Sequence, residues 1–217
     1  MEKIIILGTA HLGTTPGKCS PDKAFREAVY SREVVADLKA IFTSYGYKTF
    51  VDYEPLEPNA QMKAANAKSQ QNKELTYRVK VVNDLCAKYG KQNCIYISVH
   101  VNAAGADGKW HDARGWSIYT SPGKTKSDDL ATCIWNAAKR NFPQDHKSAV
   151  RADWSDNDPD YEAKFYVLTK TACPAVLTEN LFQDNRRDVD FLLSPAGYQA
   201  VERTHVEGVI TYLQSLK

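Results

Sequence analysis

Short apolar runs alternate with longer amphipathic segments along this chain, and this alternation most constrains its fold. Apolar runs bounded by turn residues predict strands at 3–7, 47–51, 94–99, 116–119 and 175–178. Helical spacing of apolar residues predicts helices at 21–45, 73–89, 127–141 and 195–216. Strands joined by long helices pair in parallel and carry helices on both faces of the sheet. The sequence therefore predicts an α/β fold, a single three-layer αβα domain over residues 1–217 with a twisted, mostly parallel central sheet.

Charge and composition argue against several functional classes. The 28 basic and 26 acidic side chains leave a net charge of +2, so we expect no nucleic-acid partner. No segment approaches the roughly 18 consecutive apolar residues of a transmembrane helix. The apolar run at 4–7 is also too short for the core of a signal peptide. Five cysteines without a CxxC pair favour a reducing compartment, and we expect a monomer with no transmembrane segment.

Chemically versatile residues follow three of the predicted strands. His11 lies four residues past the first strand, His100 directly follows the third, and Glu179 directly follows the last. Ligands of open α/β sheets bind beyond the carboxyl ends of the strands, where these side chains would meet. Each residue alone is also compatible with a structural, hydrogen-bonded role.

Glu27 continues the core-facing stripe of the first predicted helix. Steps of 7, 11, 14 and 18 residues lead from it to Val34, Leu38, Ile41 and Tyr45. Burial of an ionised carboxylate requires a compensating cation. A metal ion would serve, and so would a basic side chain such as Arg78, whereas an exposed first turn would remove the requirement.

Two imidazoles and one carboxylate that leave a coordination position open form a known type of catalytic zinc site. Zinc in such a site makes amide hydrolysis possible near neutral pH, because it acidifies water and polarises a carbonyl oxygen. A further carboxylate could then move the proton, and Glu179 is the candidate. The sequence contains no HExxH motif, which excludes the helix-borne metalloprotease type of site.

Five segments resemble zinc-dependent N-acetylmuramoyl-L-alanine amidases, and the four that carry candidate site residues match in order and spacing. The segment IIILGTAHLGTTPG resembles their glycine-rich loop, with His11 as first zinc ligand, and FREAVYSREVVADLKAIF places Glu27 as the second. IYISVHVNAAG places His100 as the third ligand, and PAVLTENLFQDN places Glu179 as the catalytic glutamate. ARGWSIY resembles the strand after the third ligand.

The resemblance implies a Zn²⁺ enzyme that cleaves the amide between N-acetylmuramic acid and L-alanine in peptidoglycan. It would be of the phage endolysin or bacterial autolysin type, with no separate cell-wall-binding domain. We expect it to be cytoplasmic until released to the cell wall, or periplasmic or extracellular if a leader was removed. A zinc peptidase or amidohydrolase acting on another amide, and a catalytically silent peptidoglycan-binding domain, remain alternatives.

Several features depart from the family pattern or lie outside it. Ala10 and Leu12 flank His11 where the family commonly has glycines, and Asn180 follows Glu179 in place of a small or apolar residue. The stretch 61–74 is longer than the family's, and we expect it to reshape one wall of the cleft. The polar loop 143–162, with His146 and Trp154, is expected to border the cleft.

Overall fold

A computed structural model describes residues 2–142 and 150–216. The strands of the described residues form one sheet in the order β2-β1-β3-β6-β4-β5. They are β1 (Ile4–Thr9), β2 (Lys48–Val51), β3 (Cys94–Asn102), β4 (Ser117–Thr120), β5 (Tyr161–Glu162) and β6 (Ala175–Phe182). All neighbouring pairs are parallel except β4 and β6. The predicted mostly parallel α/β sheet is therefore confirmed.

Helices cover both faces of this sheet. They are α1 (Glu27–Ser44), α2 (Ala67–Tyr89), α3 (Lys126–Asn141), α4 (Tyr166–Thr169), α5 (Arg186–Leu192) and α6 (Pro195–Ser215), with a 3₁₀ turn at Lys91–Asn93. The strand β1 shows how the layers are built, because its side chains alternate between two buried clusters. Ile5 and Leu7 pack with α1, α3 and α6, whereas Ile4 and Ile6 pack with α2 and α4. A strand buried on both faces accounts for the continuous apolar run in the sequence.

The first helix begins later than its sequence pattern predicts. Residues 21–26 form a turn, in which the Ser20 hydroxyl accepts a hydrogen bond from the Phe25 amide at 3.0 Å and donates to Asp22 at 2.6 Å. A short bridge between Cys19 and Arg26 closes the turn. The predicted N-terminus at Pro21 is wrong, because these side chain–backbone bonds compete with the helix. Glu27 consequently lies in the first turn of α1.

Other differences concern helix starts and short elements. α2 begins at Ala67 rather than near residue 73, because the Asn66 side chain accepts a hydrogen bond from the Ser69 amide at 2.9 Å and caps the helix. α3 is capped by Thr125 instead of Ser127. The sequence did not predict β5, α4 or α5, which have only two, four and seven residues. Elements this short show no measurable hydrophobic period.

The loop predicted at 143–162 is only partly covered by the structure. Residues 143–149, which include His146, lie outside the described residues. Val150 is buried and pairs with Trp116, and residues 161–162 form β5. Trp154 is exposed and packs edge-on against Trp135 of α3, with 5.6 Å between ring centroids. The described part of this segment thus extends the sheet edge near α3.

Within residues 2–142 and 150–216, no helix combines the length and the apolar character needed to cross a bilayer.

Gly208 in α6 provides a test of the packing between α6 and α3. A Cβ atom at this position would lie 2.4 Å from the Cα atom of Ile134, so the two helix backbones are in close contact there. We expect Gly208→Ala to lower the free energy of unfolding by about 1–3 kcal/mol through overpacking, despite the higher helix propensity of alanine. Denaturant unfolding measures the change. Gln199→Ala, on the exposed side of the same helix, should change stability little, and an equally stable Gly208→Ala variant would contradict the packing described.

Candidate metal centre

The carboxyl ends of three parallel strands bring together the residues predicted to form a site. His100 near the end of β3 pairs in register with Glu179 on the adjacent β6, and His11 follows β1 on the other side of β3. The side chains of His100 and Glu179 point to the α2 and α4 face of the sheet. This is the meeting point expected for a parallel sheet.

Glu27 reaches this edge from the first turn of α1. Its side chain is only 1% exposed, and its Oε1 atom accepts a hydrogen bond from the Val101 amide at 3.1 Å and lies 3.1 Å from His100 Nδ1. Its Oε2 atom is buried and accepts no hydrogen bond from residues 2–142 or 150–216. The predicted burial of Glu27 is confirmed. The predicted stripe holds at Val34 and Leu38 but fails at Tyr45, which is 62% exposed because the helix has ended at Ser44.

His11, Glu27 and His100 have the composition and spacing of a metal-binding cluster. One ligand atom from each lies within 4.8 Å of the other two. His11 Nε2 is 3.6 Å from Glu27 Oε2, and the two imidazole rings meet edge to face with centroids 5.2 Å apart. A metal ion among these atoms would compensate the orphaned, buried Glu27 oxygen. The donor set therefore fits a metal ion that accepts nitrogen and oxygen ligands.

The protonation states favoured by burial also suit metal binding. Burial lowers the pKa of His11 to about 3, against the opposing attraction of Glu27, so its ring is neutral and keeps a lone pair for a metal. Burial raises the pKa of Glu179 well above its usual value, and the nearby charge of Glu27 adds to the effect. Glu179 Oε2 is buried and has no hydrogen-bond partner among the described residues. Glu179 therefore differs from Glu27, which is bound to His100 and the backbone.

The backbone of His11 is held in an unusual conformation. Its φ angle is 40°, in the left-handed region that residues other than glycine seldom adopt. Two arginines bind its carbonyl oxygen, Arg32 Nη2 at 2.9 Å and Arg78 Nη2 at 3.2 Å. Arg32 also donates to the carbonyl oxygens of Ala10 and Ala28, both on the ligand-bearing segments. The guanidinium of Arg32 thus ties the His11 loop to the helix that carries Glu27.

Arg78, which could have been the partner of Glu27, belongs to a separate buried network. It donates to Asp52 at 2.7 Å and to Glu74 at 2.9 Å, and Tyr96 donates to the second oxygen of Asp52 at 2.9 Å. Sequence reasoning missed Asp52, Glu74 and Arg32. The four-residue spacing of Glu74 and Arg78 on α2 is a signal for that pair, but no local pattern joins them to Asp52.

Asn180 and Leu12, which depart from the family pattern, make specific contacts near the site. The Asn180 amide donates to the His100 carbonyl oxygen at 2.9 Å and accepts from the Trp116 indole at 2.9 Å, which anchors β3 behind the site. Leu12 is buried against Tyr53 and Met62, and Met62 comes from the lengthened stretch 61–74. The segment beside His11 is thus fixed by the packing of Leu12, whereas a glycine at this position would leave it flexible.

A cavity of about 240 Å³ opens over the cluster. Its described lining includes His11, His100, Glu179 and Lys18, together with Gln71 and Glu74 from the start of α2. Phe165 and Tyr166, near the start of α4, form part of the opposite wall. The stretch 61–74 therefore contributes to one cleft wall through Gln71 and Glu74. Trp154 is not among the residues described as lining this cavity.

The sequence of this chain matches a known protein family over most of its length. A model of the protein family described as N-acetylmuramoyl-L-alanine amidase matches residues 5–211. N-acetylmuramoyl-L-alanine amidase CwlM of Bacillus licheniformis is 31% identical over 142 residues, which are 65% of this chain and 47% of that protein. The aligned region therefore spans about half the length of that relative.

Solved structures share the fold over nearly the whole chain. The CwlD amidase from Clostridioides difficile, solved in complex with the GerS lipoprotein, superposes with a TM-score of 0.78 at 20% identity, covering 99% of this chain and 100% of that one. N-acetylmuramoyl-L-alanine amidase from Clostridium difficile 630 gives a TM-score of 0.74 at 17% identity, covering 99% and 98%. At this identity the likeness concerns the fold.

Arg32→Ala should weaken metal binding without removing a ligand. The variant frees the carbonyl oxygen of Ala10 and leaves that of His11 with only its longer bond to Arg78, so the strained His11 backbone can relax away from the cluster. We expect a 10- to 100-fold loss of Zn²⁺ affinity, as is typical when a group that orients a ligand is removed. Competition with a fluorescent chelator measures it. Arg140→Ala, an exposed arginine on α3, is the matched control, and equal affinities for both variants would contradict this role of Arg32.

Proposed function

We propose that this chain, which belongs to the N-acetylmuramoyl-L-alanine amidase family, hydrolyses the amide between the lactyl group of N-acetylmuramic acid and L-alanine in peptidoglycan. The observation that carries the proposal is the convergence of His11, Glu27 and His100 in one cluster, together with a second carboxylate, Glu179, which lines the same cavity as the two histidines. Family membership supplies the substrate class, and the local chemistry is that of a metal-assisted amide hydrolase.

We assign the metal as Zn²⁺ and its ligands as His11, Glu27 and His100. Two neutral imidazoles and one carboxylate are a ligand set found in catalytic zinc sites. Zinc supplies a Lewis acid that polarises the amide carbonyl and makes water more acidic. Three hydrogen bonds keep the ligands in place. The Arg32 guanidinium donates to the His11 carbonyl oxygen, the Val101 amide donates to the Glu27 carboxylate, and the Asn180 amide donates to the His100 carbonyl oxygen.

Glu179 is assigned to proton transfer. Its carboxylate accepts a proton from the attacking water as the new carbon–oxygen bond forms. It then returns the proton to the nitrogen of L-alanine as the carbon–nitrogen bond breaks. Burial and the charge of Glu27 raise the pKa of Glu179, which favours a group that must both take and release a proton. A dication in the cluster would offset the contribution of Glu27 to this pKa and so favour the ionised form of Glu179 that accepts the proton.

Digestion of purified peptidoglycan tests the proposed bond directly. The wild-type chain loaded with Zn²⁺ should release stem peptides with a free N-terminal L-alanine and leave glycan strands with intact muramyl lactyl groups. Mass spectrometry of the soluble products distinguishes this cut from cleavage within the peptide or between sugars. Peptides cut at an internal bond would show that the chain is a peptidase. Peptidoglycan that is bound but not cut would instead show a silent binding domain.

Glu179→Gln and Glu27→Gln separate proton transfer from metal binding. Glu179→Gln keeps the size of the side chain but cannot accept a proton, so turnover should fall by about 10²- to 10⁴-fold while zinc stays bound. Glu27→Gln should lose zinc, because a neutral amide is a poor ligand and leaves the positive charge of the metal uncompensated. Zinc content and digestion rate are measured for both variants together. If Glu179→Gln loses its zinc, or digests peptidoglycan at the normal rate, Glu179 does not have the assigned role.

A further inference from the structure

Lys18 places a flexible cation beside the candidate metal centre. Its Nζ atom lies 4.0 Å from Glu27 Oε2, and its side chain is 32% exposed. Its backbone carbonyl accepts the amide hydrogen of Glu27 at 3.1 Å, which fixes where the side chain starts. Within the described residues, the ammonium makes no hydrogen bond, and its one close charge partner is Glu27. The ammonium of Lys18 therefore brings three N–H donors to the site, and the described residues accept a hydrogen bond from none of them.

The other cations near the site are already committed. Arg78 also lines the cavity, but it is buried and bound to Asp52 and Glu74. The guanidinium of Arg32 donates its hydrogen bonds to backbone carbonyl oxygens, including those of Ala10 and His11. The described lining of the cavity over the cluster contains two cations: Arg78, which is held by four hydrogen bonds, and Lys18, whose ammonium makes none within the described residues. A negative charge that forms during a reaction in this cavity could be met by Lys18 without breaking an existing bond.

Lys18 also lies where two cavities adjoin. One cavity covers the metal cluster and extends toward α2 and α4. The other lies between the loop after β1 and the loop after β3, lined by residues within 16–23 and 103–109 together with Gln183 and Asp184. Lys18 is the residue common to both described linings. A substrate with a group on each side of its scissile bond, such as a sugar and a peptide, would place that bond near Lys18 and the cluster.

Attack of water on an amide moves the π electrons of the carbonyl onto its oxygen. This oxygen becomes negative in a site that already contains the carboxylates of Glu27 and Glu179, so a positively charged donor there stabilises the transition state more than the ground state. We propose that Lys18 is a further catalytic residue, whose ammonium donates a hydrogen bond to the developing oxyanion of the scissile amide. This inference rests on the proposed function.

Lys18 transfers no proton in the net reaction. The water oxygen bonds to the carbonyl carbon and Glu179 takes the water proton, while the ammonium keeps its protons and shares one in the hydrogen bond. When the carbon–oxygen double bond re-forms, the carbon–nitrogen bond breaks and the proton on Glu179 goes to the leaving nitrogen. Lys18 then returns to its contact with Glu27.

Lys18→Met tests the proposal with a side chain of similar length and no charge. On a soluble muramyl peptide, kcat should fall about 10²- to 10³-fold while KM and zinc content change little, because the donor acts on the transition state. Lys18→Arg keeps a positively charged donor and should recover part of kcat. Lys139→Met, an exposed lysine on α3, is the matched control and should behave as the wild type.

Each other outcome has a distinct meaning. A Lys18→Met variant with near-normal kcat overturns the inference and leaves the proposed function intact. A rise in KM alone means that Lys18 binds an anionic group of the ground state, and loss of zinc means that it only balances the charge of Glu27, so either result also overturns the inference. If the wild-type chain releases no peptide with N-terminal L-alanine, the proposed function fails, and this role of Lys18 fails with it.

Discussion

The burial of one carboxylate organises the functional edge of this protein. Glu27 is placed at 1% exposure by the first turn of α1, where the Val101 amide and His100 satisfy only one of its two oxygens. An ionised group in that position is stable only if a positive charge approaches the second oxygen. His11, whose pKa is lowered by burial, favours the neutral form and offers a nitrogen lone pair instead of a charge. Lys18 Nζ approaches the second oxygen of Glu27 only to 4.0 Å, so the proposed metal ion is the charge that would best compensate it.

A second group of buried charges supports the cluster of His11, Glu27 and His100, although none of its members is a candidate ligand. Arg78 binds Asp52 and Glu74, which neutralises much of their charge inside the α2 layer. Arg78 and Arg32 both donate to the carbonyl oxygen of His11 and so stabilise its left-handed backbone. Removal of one partner from such a network leaves an uncompensated buried charge, which is strongly destabilising. The position of the first candidate ligand therefore depends on charges that lie outside the cluster.

The different roles proposed for Glu27, Glu179 and Lys18 follow from the surroundings of each side chain. Glu27 is held in place by the Val101 amide, which suits the proposed ligand role, whereas Glu179 has a raised pKa and an oxygen with no hydrogen-bond partner among the described residues, which suits the proposed proton transfer. Lys18 is partly exposed on a flexible stem and can follow a charge that develops during turnover. All three lie at the carboxyl edge of a parallel sheet, where no backbone ladder competes for their atoms.

The sequence alone predicted the α/β sheet, the core-facing position of Glu27 and the meeting of His11, His100 and Glu179 at one edge of the sheet, because hydrophobic period and the alternation of strands with helices are local properties. It ended two strands too early: β3 continues to Asn102 and β6 to Phe182, so His100 and Glu179 lie within these strands rather than after them. It predicted the wrong start for α1, since the hydroxyl of Ser20 bonds within a turn instead of capping a helix. Only the tertiary structure decided that Arg78 pairs with Asp52 rather than Glu27, that Arg32 holds His11, and that Lys18 stands between two cavities. These contacts join side chains from different segments, so their energies depend on three-dimensional packing that no local pattern encodes.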